Sequence, residues 1–233
     1  MSTRPRHGAE EIEQLSLLRA LQEILARALD SLAGKLPTTP ESAYLGWAAV
    51  SVNRAADGFL CLRDSRRVAA SKLLVRPALE ATFAAIAVLK KDGFLFRQAY
   101  SEWEEDKKMC AEDAAGEQEA EKKLEALKRA FRQNRPTCLV ECKRVTVRDA
   151  ADAAGFLEIY ASAYRIYCRF THGALRAVVG DLDDTTDTID TPIVTWCALQ
   201  VLDHLQTHTP AEIPDLIPFR KRLLNAHQRR SPG

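Results

Sequence analysis

The 233-residue chain is poor in the two residues that punctuate β-rich folds, with ten glycines and ten prolines. Apolar and polar residues alternate over no stretch longer than about residues 144–148, so a sheet is excluded as the organising element. The charges nearly cancel, 33 basic against 32 acidic for a formal +1, which excludes a globally basic nucleic-acid coat and makes any electrostatic recognition local. No apolar run reaches the roughly 18 residues that a membrane span requires, and residues 81–89 come closest. The first nine residues are polar and lack the apolar segment of a signal peptide. A cytoplasmic protein without membrane contact is the expectation.

Other absences narrow the chemistry. Six cysteines are scattered and none forms a Cys-x-x-Cys pair; Cys138 and Cys142 are four apart. In a reducing compartment they read as small buried apolar residues. His204 and His208 have helical metal-ligand spacing, but Leu205 stands where a zincin carries its glutamate. The acidic stretch Asp181, Asp183, Asp184, Asp187 and Asp190 lacks the central glycine and terminal glutamate of a calcium loop and reads as a solvated turn. Trp103-Glu104-Glu105 has no Glu-x-x-His partner for a di-iron bundle. With no Walker loop, Gly-x-Ser-x-Gly or dinucleotide fingerprint, neither a metal nor a cofactor is expected.

Alanine and leucine are abundant, and with 46% apolar and 28% charged residues the chain can fill a core and still solvate its surface. The predicted fold is all-α: a single helical domain over 1–233, ordered from 10 to 227, built as one bundle of about seven helices. The first helix is expected over 10–33, ended by Gly34. Thr39-Pro40 starts a second, to about residue 63, with Thr39 as N-cap and proline at the first helical position. Asp64-Ser65 offers the next cap, for a helix to about 91 that Pro77 should kink or break. A fourth helix covers 94–114. A charged helical arm follows over about 112–135, where Leu124, Leu127 and Phe131 form only a thin apolar stripe. Thr146 caps a short helix that ends at Gly155, and a long helix should occupy 156–179. Further helices should start at Thr191-Pro192 and after Pro214-Asp215, leaving a disordered tail over 228–233.

Two features could carry chemistry. At about 100° per residue, Glu158, Arg165, Arg169, His172 and Arg176 fall in one sector of the long late helix, with Ser162 at its edge. Such a stripe serves as a solvated face, or it binds an anion, because arginine offers forked donors to phosphate and carboxylate and histidine titrates near neutrality. Glu158 alone cannot neutralise three arginines, and Gly173 beside His172 would let another backbone come close. The second feature is Arg76 and Glu80, the only charges between Leu73 and Leu89 and four residues apart on one face. They read as an ion pair at the core's edge, or as the wall of a polar pocket shared with the arginine stripe, where Glu80 would orient Arg165, Arg169 or His172.

Arg76-Pro77-Ala78-Leu79-Glu80 within an apolar helix, followed by tyrosine-rich text from Tyr164 to Thr171-His172-Gly173-Ala174-Leu175, resembles a group of bacterial all-helical proteins without an established activity. The resemblance covers about residues 65–179 and implies an all-α fold. Arg165 and His172, six residues apart in between, also resemble the arginine–histidine pair of the HEPN superfamily of helical ribonucleases and nucleotide binders. That resemblance implies metal-independent RNA cleavage at a dimer interface. His172 would assist proton transfer at the ribose hydroxyl and Arg165 would stabilise phosphoryl charge. Ile166 departs from the pattern, which has a polar residue after the arginine.

Two functions are therefore expected from different classes. One is a binding or scaffold module whose Arg/His face, joined by Arg76, Glu80, Glu158, Arg169 and Arg176, holds an anionic small molecule or partner. The other is a HEPN-type ribonuclease of a toxin or defence system, with His172 and Arg165 as catalytic residues and RNA as substrate. A symmetric homodimer is expected with either.

Overall fold

Local sequence signals set most helix boundaries. The computed structural model describes residues 5–35, 39–109, 114–134, 144–171 and 184–228, which hold nine helices and no strand. Helix α1 is Pro5–Leu32, and its buried residues Leu17, Leu18, Leu21, Ile24, Leu25 and Ala28 recur at helical spacing. Gly34, at φ +78°, turns the chain away in the left-handed region where a side chain would be strained. Helix α2 is Pro40–Asp64. Its N-terminus is a capping box: the Ser42 amide donates to Thr39 Oγ1 at 3.1 Å, and the Thr39 amide donates to Ser42 Oγ at 3.1 Å.

Helix α3 is Val68–Lys90. It starts three residues later than the expected Ser65 cap, because Arg66 at φ +57° turns the chain first. The helix continues through Pro77 without a break. Residues 81–88 are buried on every side, the pattern of a helix enclosed by its neighbours. Helices α4 (Phe94–Met109), α5 (Ala114–Asn134) and α6 (Val147–Ala154) follow. Thr146 caps α6 and Gly155 at φ +83° closes it, both as expected from the sequence, and Asp149 completes a capping box with Thr146.

Helix α7 joins an α-helical turn, Leu157–Ile159, a π-helical segment, Tyr160–Tyr164, and a second α-helical stretch, Arg165–Thr171. Helix α8 is Asp184–His208, and α9 is Leu216–Gln228. The expected start of α8 at Thr191-Pro192 is corrected: the chain is already helical from Asp184, and Pro192 lies inside the helix. The tail from residue 229 lies outside the described residues. Among the described residues no helix is long and apolar enough to cross a membrane.

The chain divides into two compact units, Met1–Thr82 with Glu158–Gly233, and Phe83–Leu157. In the first, α1, α2 and α8 pack on one another and α9 lies against α1. Phe59, Leu45 and Leu79 are among its fully buried side chains. In the second, α4 and α5 pack together. There the ammonium of Lys90 donates to the Ala154 carbonyl at 2.8 Å, satisfying the C-terminus of α6, and sits 5.3 Å from the centre of the Phe156 ring. Phe156 packs on Phe83 at 6.2 Å.

Candidate functional site

The Arg76–Glu80 pair lies in the first unit and touches α7 at Tyr164. On α3, Arg76 Nε donates to Glu80 Oε1 at 2.8 Å, one helical turn away. The same oxygen accepts the Tyr164 hydroxyl of α7 at 2.6 Å. The Arg76 guanidinium lies 5.8 Å from the centre of the Tyr164 ring, and Tyr160 stacks on that ring at 5.1 Å. The hydrogen bond to Glu80 raises the pKa of Arg76, so the guanidinium stays charged. Burial, and then the bond to Glu80, raise the pKa of Tyr164, so its hydroxyl stays a neutral donor. The node is partly solvated: the Arg76 and Glu80 side chains are 23% and 34% exposed.

The sequence pointed Glu80 at Arg165, Arg169 or His172. Its partners in the structure are Arg76 and Tyr164, the residue before Arg165. Glu158, Ser162 and Arg165 are exposed, while Ala163, Tyr164 and Tyr167 are buried. Among the described residues no carboxylate pairs with Arg165. The Arg169 side chain, His172 and Arg176 lie outside the described residues. One premise of the stripe is corrected. The π-helical segment 160–164 closes i→i+5 hydrogen bonds and winds more slowly than an α-helix, so a uniform 100° step does not relate Glu158 to Arg165.

A second node was not read from the sequence. Arg63 of α2, Lys72 of α3, Tyr167 of α7 and Asp190 of α8 converge in the core, the last three at 0% exposure and the first at 7%. Arg63 donates to Asp190 Oδ2 at 2.7 Å, and the Lys72 ammonium is 3.9 Å from that oxygen. Tyr167 donates its hydroxyl to Asp190 Oδ1. On its outer side Arg63 reaches Glu11 of α1 at 3.2 Å. Asp190 is thus no solvated turn residue; it is the anion that lets two cations stay buried. The signal was the register: Arg63 continues the buried face of Val52, Ala56 and Phe59, and Lys72 that of Val75 and Leu79. Charges on an apolar face demand a buried counter-charge.

The cysteine reading divides. Cys197 is buried beside Thr82, and burial pushes its thiol up to about 12. Cys61 is exposed, contrary to expectation, because it lies outside the packed face of α2. The rings of His204 and His208 stack at 5.7 Å, and among the described residues no three His, Cys, Asp or Glu side chains group as metal ligands.

Neither the curated proteins nor the solved structures include a match to the chain. A family model does match, over residues 43–189. That span includes Arg63, Lys72, Arg76, Glu80, Tyr164 and Tyr167, together with the Thr-His-Gly text, and ends one residue before Asp190. Matched over more than half its length, the chain belongs to the DUF5677 family of unknown function.

Proposed function

We propose that the protein is a binding module for an anionic ligand, with its site where α3 meets α7. The observation that carries this reading is the Arg76–Glu80–Tyr164 node, which brings the Arg76–Glu80 pair to the residue adjoining Arg165 of the stripe. A tyrosine-held carboxylate fixes Arg76, so little of its side-chain freedom remains to be lost on binding. Arg165 adds an exposed, unneutralised cation next in sequence. Arg169, His172 and Arg176 would extend the same cationic surface. Forked guanidinium donors favour phosphate or carboxylate.

Calorimetric titration with inorganic phosphate tests this. Wild type should bind saturably, and Arg165→Ala should weaken binding about tenfold, the loss expected for one charge-assisted hydrogen bond. Absence of saturable binding by wild type contradicts the proposal.

The resemblance of the Arg165 and His172 pair to that of the HEPN superfamily supports a second reading, metal-independent RNA cleavage. A single-stranded RNA incubated with chelator should then be cut by wild type and left intact by His172→Ala. Cleavage that survives the substitution removes His172 from catalysis.

A further inference from the structure

The two nodes join the same pair of helices. Lys72, Arg76 and Glu80 follow one another at one-turn intervals along α3, and Tyr164 and Tyr167 are three residues apart on α7. Lys72 faces α7 across Asp190, which accepts the Tyr167 hydroxyl, and Glu80 meets it directly by accepting the Tyr164 hydroxyl. The sealed and the open node are therefore neighbouring rungs between α3 and α7.

The stretch of α7 between those rungs has an unusual backbone. The π-helical turn ends at Tyr164, and the Arg165 amide donates to the Tyr160 carbonyl five residues back. π turns are rare within helices, so backbone energetics alone do not select this one, and they recur at functional sites. Side-chain bonds fix its end: Tyr164 to Glu80 at the last π residue, and Tyr167 to Asp190 just beyond. Tyr167 and Asp190 are at 0% exposure, so their bond has no water to compete with it and is the stronger of the two. It sets the rotation of α7 at which Tyr164 meets Glu80.

We infer that Tyr167 and Asp190 are positioning residues for the anion site: they hold α7 at the rotation in which Tyr164 braces Glu80 against Arg76. The inference rests on the anion-binding reading of the open node. Both residues are sealed from any ligand and act through Tyr164. Linkage is reciprocal, so phosphate bound at Arg76 tightens the hold of α7 on Asp190 in turn.

Calorimetric titration with inorganic phosphate of wild type, Tyr164→Phe, Tyr167→Phe and the double variant tests this, with the urea unfolding midpoint of each measured alongside. Tyr167→Phe should weaken phosphate binding about fivefold. On the Tyr164→Phe background the same change should alter affinity by less than about twofold, because the route to Glu80 is already cut. Val201→Ala, about three turns along α8 from Asp190, opens space in the core; it should lower the unfolding midpoint and leave phosphate affinity unchanged. Unchanged affinity in Tyr167→Phe, or an equal loss on both backgrounds, overturns the inference and leaves the anion site standing. A loss in Val201→Ala as large as in Tyr167→Phe also overturns it, since affinity would then follow stability and not position. If wild type binds no phosphate, the anion-site reading fails by itself, and the unfolding midpoints decide without ligand whether Tyr167 places Tyr164. The double variant should then lose less than the two single losses combined, and a loss equal to their sum overturns the coupling.

Discussion

Helix α7 is held by two nodes of similar design and different solvation. In each, an arginine and a tyrosine from α7 converge on one carboxylate: Arg76 and Tyr164 on Glu80, and Arg63 and Tyr167 on Asp190. The Asp190 node is sealed and carries a second cation, Lys72, while the Glu80 node is open to water on one side. Desolvation separates their roles. A sealed ion cluster loses little to screening but is intolerant of losing a member; a partly solvated pair contributes little to stability. The first fixes α7 to the core, and the second is the node to which the proposed function assigns anion binding.

The largest effect should come from Asp190→Asn. It removes the buried negative charge facing Arg63 and Lys72 and should cost about 3–5 kcal/mol in urea unfolding. Glu80→Gln, the equivalent change in the open node, should cost no more than about 1 kcal/mol. Equal costs would remove the distinction between the nodes. Next comes the tyrosine pair. Tyr167→Phe strips a buried carboxylate of a donor and should cost about 1.5–3 kcal/mol, measured by the same unfolding curves, whereas Tyr164→Phe should cost about 1 kcal/mol. Smallest is Glu11→Gln, at the half-exposed outer edge of the sealed node, which should shift stability by less than about 1 kcal/mol. A larger loss would show that Arg63 depends on Glu11 as much as on Asp190.

The contrast also explains what could be read before any coordinates. The N-caps Thr39 and Thr146, the stop at Gly155 and the Arg76–Glu80 pair all involve residues within a few positions of one another, where helical geometry alone decides contact. The sealed node joins Arg63 to Asp190 across 127 positions, and no local rule pairs them. Its members were visible only as charges out of phase with their surroundings. The stretch around Asp190 shows the opposite failure. Its aspartates and threonines have the composition of a loop, and propensity predicted one, but Asp190 is bound to α2 and α7 in the folded chain and the helix extends back to Asp184. On α7 the hydrophobic period was legible and the π-helical segment was not, because slower winding leaves no composition signature.

The role assigned to the open node is tested most directly by titrating Arg76→Ala with inorganic phosphate and measuring its unfolding beside wild type. Phosphate affinity should fall about tenfold while stability changes by no more than about 1 kcal/mol. Unchanged affinity would contradict the account, and so would an affinity loss matched by a stability loss as large as that of Asp190→Asn.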